Sequence, residues 1–117
     1  MIWLGQQLVL EAFHCRMDLS PSCIRDVLLE LPPRVGLTVV SGPILTSQVA
    51  LEDGTPVFTG VVILAESHLA LHSFPLERAL HVDLFSCKAF DAQAVKAFLR
   101  ERLLPERVNE RGFDRHA

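Results

Sequence analysis

Between residues 66 and 87 the sequence gathers side chains that can move protons or attack carbonyls. Glu66, Ser67, His68 and His72 fall in one short run, and Cys87 follows. Three readings are open. On a helix, His68 and His72 at i, i+4 would share a face and could hold one metal ion. On a strand those four positions span ~13 Å, too far to share an ion within one chain. Ser67 with a histidine and an acid could serve a hydrolase, but the G-x-S-x-G elbow is absent. The third reading is a strand pair whose histidines face solvent.

The elements that must position these groups follow from periodicity. Leu8 to Phe13 reads as a first strand. Ser20-Pro21 starts a helix, a hydroxyl N-cap before a proline at the first helical position, and Ile24, Val27, Leu28 and Leu31 follow on one face. Pro32-Pro33 is expected to stop it. Leu37 to Val40 reads as a strand, kinked or ended by Ser41-Gly42-Pro43, and Ile44 to Leu51 can continue the extended chain to a turn at Asp53-Gly54. Val57 to Ala65 is a strand apolar enough for burial on both faces. His68 to His72 and Leu80 to Phe85 give two more. Asp91 caps a last helix with Val95, Phe98, Leu99 and Leu103 on one face, ended by Pro105. The order β-α-β-β-β-β-α predicts an α/β (α+β) two-layer sandwich, a mainly antiparallel sheet with helices on one face. The domain is expected to span residues 1–104, with 105–117 a charged, frayed tail.

Composition narrows the function classes. A chain of 117 residues, 50% apolar, suits a single domain with its own core. Eleven Lys+Arg against 14 Asp+Glu give a net charge of −3, which favours neither nucleic acid nor an anionic membrane as partner. Three cysteines, Cys15, Cys23 and Cys87, without a C-x-x-C argue against a disulfide framework or zinc knuckle and for the cytoplasm. Met1 to Gly5 lacks a basic start, and Gln6-Gln7 breaks its apolar run, so no signal peptide is expected. No stretch approaches the ~20 apolar residues of a membrane span.

The run from Gly60 to Pro75, Gly-Val-Val-Ile-Leu-Ala-Glu-Ser-His-Leu-Ala-Leu-His-Ser-Phe-Pro, resembles the core of the small prokaryotic S-adenosylmethionine decarboxylases, which read G-V-V-x-x-x-E-S-H-x-x-x-H-T-W-P-E. Their V-D-x-F-x-C element is matched by Val82-Asp83-Leu84-Phe85-Ser86-Cys87, and Leu4-Gly5 with Leu8-Val9-Leu10-Glu11 resembles their start. The resemblance implies a self-cleaving zymogen of polyamine (spermidine) biosynthesis. The Ser67 hydroxyl would attack the Glu66 carbonyl. Elimination and hydrolysis would then leave chains 1–66 and 67–117, the second beginning with a pyruvoyl group. That ketone would form a Schiff base with the substrate amine and accept electrons as carbon dioxide leaves. Pyridoxal phosphate and metal are not implied.

The resemblance also assigns roles. Ser67 becomes the pyruvoyl, with Glu66-Ser67 the cleavage site. His72 matches a base in processing, and imidazole titrates near neutral pH. Cys87 matches the residue that reprotonates the substrate α-carbon; its bland alternative is a small buried hydrophobe. Thr59 stands where relatives have a processing serine. Ser67 and His72 lie ~16 Å apart if extended, so homodimers with shared sites are expected, Thr59 and His72 serving the partner's Ser67, and the Cys87 strand folding back beside Ser67 in the same chain.

The chain departs from the family around the substrate. T-W-P-E reads Ser73-Phe74-Pro75-Leu76 here, so Leu76 replaces a ribose-binding glutamate; Glu77 is adjacent. The stacking aromatic six residues before the processing serine becomes Asp53, beside Glu52. Asp53 could pair with a cationic side chain or simply cap the turn at Gly54. The substrate reading leans to ornithine or arginine, a small cationic substrate; S-adenosylmethionine is the alternative. An uncleaved regulatory paralogue is the non-catalytic alternative.

Overall fold

The structure, a computed structural model, describes residues 1–49 and 52–117. Six strands form one antiparallel sheet in the order β2-β3-β4-β5-β1-β6, with two helices on one face. The α+β two-layer sandwich expected from the sequence is the observed architecture.

Strand β1 (Trp3–Phe13) alternates as a half-buried strand should: Leu8, Leu10 and Ala12 are buried while Val9 is exposed. Helix α1 (Pro21–Arg34) starts at Ser20, whose hydroxyl accepts from the Cys23 N–H at 3.2 Å. Its buried face is Ile24, Val27, Leu28 and Leu31. Replacing Ser20 by alanine leaves an N-terminal donor unpaired, which costs about 1 kcal/mol. The expected lowering of Tm is about 4 °C, read by thermal denaturation; an unchanged Tm would remove this cap from the account.

Three expectations need correction. Pro32 and Pro33 do not stop α1 but lie in its last turn, where the N–H groups of Val35 and Gly36 close onto their carbonyls. Two missing donors are tolerated there because the turn ends in this tighter 3₁₀-type pattern. Of the two outcomes open at Ser41-Gly42-Pro43, the structure takes the kink: β2 (Val39–Val49) runs through as one strand, with register shifts against its neighbour that absorb the irregularity. The continuation to Leu51 lies outside the described residues. Strand β3 (Pro56–Leu64) is buried on one face only: Gly60, Val62 and Leu64 are covered, and Ile63 is exposed. Its partners pair antiparallel, so no second helix layer covers the outer face. Finally, the charged segment after Pro105 is not a frayed tail. It forms β6 (Arg107–His116), paired along β1 from Phe13 to Trp3.

Strands β4 (Ser67–Phe74) and β5 (Ala79–Ser86) complete the sheet centre, joined by a short 3₁₀ turn, Pro75–Glu77. Helix α2 (Ala92–Leu103) is capped by Asp91, which accepts from Gln93 N–H at 2.9 Å. Leu8, Leu10, Leu69, Leu71, Val82 and Leu84 from the sheet meet the apolar faces of both helices in one core. Gly60 lets α1 approach: a Cβ there would lie 2.7 Å from Leu28 Cδ1. None of the described helices is long and apolar enough to cross a membrane.

The open face carries the polar groups. Register places Thr59, His72, His81 and Glu11 in one row across β3, β4, β5 and β1. Ile63, His68, Phe85 and Gln7 form a second row nearer the other end of the sheet.

Candidate active site

The β3–β4 connection holds the bond of interest. Leu64 pairs with Ser67, leaving Ala65 and Glu66 as a two-residue turn. Glu66 has φ +57° while Ala65 has an ordinary negative φ. Favoured two-residue hairpins place positive φ at the first or at both turn positions, with glycine or asparagine there. A glutamate held left-handed carries about 1–2 kcal/mol of strain, located at the residue that precedes Ser67.

The surroundings fix that carbonyl. The Cys87 N–H donates to the Glu66 oxygen at 3.1 Å. Ser67 pairs with Ser86, which brings the end of β5 alongside. The bend after Ser86 is locked: the buried Ser86 hydroxyl accepts from Lys88 N–H at 2.9 Å, and Lys88 Nζ donates to the Gly36 carbonyl at 3.0 Å. Ala65 N–H donates to Thr38 O at 2.9 Å, which anchors the turn's other side. The Ser67 hydroxyl donates to the Ala65 carbonyl at 3.3 Å and so folds back over the turn. A donor aimed at a carbonyl oxygen stabilises the negative charge that develops there on attack. Cys87 itself is exposed, which sets it apart from Cys15 and Cys23, whose thiols burial pushes up in pKa.

A second group lies toward the opposite end of the sheet. Thr59 Oγ1 is 3.2 Å from His72 Nδ1 and donates to Gln48 Oε1 at 3.4 Å. With the hydroxyl proton given to Gln48, a neutral His72 carries its proton on Nδ1 and keeps Nε2 free as a base. Ser67 and His72 are separated by ~16 Å along β4. Their odd spacing also points the two side chains to opposite faces of the sheet. The structure therefore joins Ser67 with the Cys87 backbone and Thr59 with His72, and it keeps the two pairs apart.

The remaining candidates divide in the same way. Asp53, at the β2–β3 tip, accepts from Thr55 N–H at 3.1 Å and Thr55 Oγ1 at 2.8 Å; these bonds hold its carboxyl below the usual range. Glu52 beside it is exposed. Phe74 packs on His81, ring centroids 4.9 Å apart, and Leu76 is 66% exposed. All four lie at the His72 end. His68 lies beside Asp83, with Nε2 3.7 Å from Oδ2, and His68 and His72 project along one strand rather than around an ion. Among the described residues no cluster of three or more potential metal ligands forms.

Sequence reasoning missed the Cys87 amide, Gln48 and Asp83 as parts of the site. Asp83 was legible, two residues from Phe85 and so on the same face. Gln48 and the amide depend on cross-strand register, which carries no local signal.

A model of the family described as S-adenosylmethionine decarboxylase matches residues 6–116. A proenzyme of that name from Clostridium botulinum (strain Langeland) is 29% identical over 92% of this chain and 90% of its own length. One from Pseudomonas paraeruginosa (strain PA7) is 36% identical over 96% of this chain and 68% of its own. The crystal structure of the adenosylmethionine decarboxylase from Aquifex aeolicus superposes with TM-score 0.75 at 21% identity, covering 100% of this chain and 94% of that one. Matches and fold together make this chain one of the pyruvoyl-dependent carboxy-lyases, enzymes synthesised as proenzymes. Within that class it belongs to the S-adenosylmethionine decarboxylase family.

Proposed function

We propose that the chain cleaves itself between Glu66 and Ser67 and then decarboxylates a basic α-amino acid, ornithine or arginine, for polyamine synthesis in the cytoplasm. The observation that carries the cleavage is the Glu66 carbonyl, strained by its positive φ and held by the Cys87 N–H at 3.1 Å, next to the Ser67 hydroxyl. The hydroxyl oxygen bonds to the Glu66 carbonyl carbon, and the C–N bond breaks as the Ser67 nitrogen takes a proton. A base then removes the Ser67 α-proton and the ester C–O bond breaks, releasing the Glu66 carboxylate. Water finally replaces the nitrogen at residue 67, which leaves as ammonia, and a ketone remains. Ser67, Glu66 and the Cys87 amide thus fit the formation of a pyruvoyl group. Once made, that group supplies the electron sink for decarboxylation.

The chain's other residues have positional tasks. His72, oriented by Thr59, serves as the base in processing. Cys87, exposed beside residue 67, returns a proton to the substrate α-carbon. Because His72 and Ser67 lie ~16 Å apart, a homodimer supplies the missing half: the Thr59–His72 end of one copy faces the Ser67–Cys87 end of the other.

The substrate reading rests on two replacements. Leu76 removes the carboxylate that relatives direct at a ribose, and Asp53 puts an ionised carboxylate where they stack an aromatic. The names of the curated relatives favour a second reading, S-adenosylmethionine itself. Carbon dioxide release from S-adenosylmethionine, ornithine, arginine and lysine, measured in parallel, separates the two. We expect ornithine or arginine to be turned over at least tenfold faster than S-adenosylmethionine at equal concentration. The reverse ranking establishes the second reading. A chain that stays whole by denaturing mass spectrometry and releases nothing is an uncleaved paralogue.

A further inference from the structure

At the His72 end of the open face lies a cavity of about 400 Å³ lined by Phe13, His14, Phe74, Glu77, Ala79 and His81. Its position follows from register. His81 pairs directly with His72, and Phe74 stands two residues beyond His72 on the same strand and face. The cavity therefore adjoins the row of Thr59, His72, His81 and Glu11. Its volume lies in the range of small-molecule sites.

The wall chemistry is specific. Phe13 and Phe74 supply aromatic faces, and Phe13 already carries the Arg107 guanidinium 4.3 Å from its centroid. Glu11 Oε2, 3.4 Å from His81 Nε2, holds one wall in place. Glu77 supplies a carboxylate. The 3₁₀ turn delivers it: Arg78, at φ +52°, reverses the chain, and its carbonyl accepts from Cys15 N–H at 2.9 Å. Leu76 is exposed and is not among the residues lining the cavity. Among the described residues Glu77 makes no ion pair. Aromatic faces around a free carboxylate attract an organic cation, through the ring quadrupoles and through charge.

We propose that this cavity is the subsite for the distal cation of the substrate, an ammonium or guanidinium on an aliphatic arm, with Glu77 as its counter-ion and Phe13 and Phe74 as walls. The subsite restores, one position along, the carboxylate lost at residue 76, and it changes the preferred ligand from a sugar diol to a positive charge. This rests on the reading of the chain as a decarboxylase of basic amino acids with sites shared between copies.

The test separates the subsite from the reading beneath it. The Ser67→Ala chain keeps the cavity without turnover. Calorimetric titration with arginine, ornithine and citrulline, the uncharged isostere of arginine, reads charge recognition directly. Arginine or ornithine is expected to bind at least tenfold tighter than citrulline, and adding Glu77→Gln should erase that preference. Glu77 is exposed, so glutamine there leaves the fold intact; circular dichroism checks this. Equal affinity for all three ligands, or a preference that survives Glu77→Gln, overturns the subsite. Carbon dioxide release by the cleaved wild-type enzyme is read alongside. Turnover of a basic amino acid without charge preference in binding refutes the subsite and spares the decarboxylase. Charge preference without turnover refutes the decarboxylase and spares the subsite.

Discussion

A Ser67→Ala chain is expected to run as one species of 117 residues and to release no carbon dioxide from any substrate, a loss of at least about a thousandfold against the wild type. The reasoning is local. Ser67 follows Glu66 directly in the chain, and its hydroxyl folds back over the same turn, onto the Ala65 carbonyl. The neighbouring hydroxyl, on Ser86, is directly paired with Ser67 but buried and occupied by the Lys88 N–H. It cannot substitute. Folding is not at stake, because the Ser67 hydroxyl makes one bond, to the Ala65 carbonyl, on a half-buried side chain. Losing such a bond costs on the order of 1 kcal/mol or less. Intact mass and circular dichroism on the same preparation check both points. Cleavage at residue 66, or activity surviving the substitution, removes the self-processing mechanism.

The contrast between Ser67 and its surroundings shows what a linear sequence can disclose. Side-chain identity at the bond was legible because Glu66-Ser67, His72 and Cys87 sit in one compact pattern. The central strands were legible because their apolar residues alternate, as at Leu80, Val82 and Leu84. Strand β6 was not. Its sequence RVNERGFDRH holds two apolar side chains, and it is stabilised by backbone pairing with β1 and by the Lys96–Glu110 ion pair with α2. Neither is visible in hydrophobic periodicity. The burial of β3 was overestimated for a related reason. Val57, Val61 and Ile63 are apolar on the face opposite the core, a pattern that fits either a second layer or a second copy. The site divides likewise. The Thr59–His72 contact is a consequence of register, and the oxygen-holding donor is a backbone amide that any residue at position 87 except proline would carry. Substrate-side residues were the least legible, since Asp53 reads equally as a turn cap, which is how its carboxylate is bonded here.

One slowed and one inert variant should complement each other. Alone, His72→Ala is expected to leave processing slowed at least about a hundredfold, the range for loss of a general base. Ser67→Ala alone is inert. Both lesions are point changes on one 117-residue chain, so a site built within single chains would stay dead in any mixture. Sites shared across a twofold axis behave differently. When the two chains are co-expressed in equal amounts, half of the dimers are mixed. In each mixed dimer, one site combines an intact Ser67 from the His72→Ala copy with an intact His72 from the Ser67→Ala copy. The other site carries both lesions. About a quarter of wild-type activity is therefore expected from random pairing, with only the chain carrying Ser67 cleaved. Denaturing mass spectrometry identifies the cleaved chain, and carbon dioxide release counts the sites. The geometry makes the outcome sharp, because β4 places the two side chains ~16 Å apart and on opposite faces. Complete silence of the co-expressed pair, with mixed dimers demonstrated by affinity tags, would place His72 in service of its own chain.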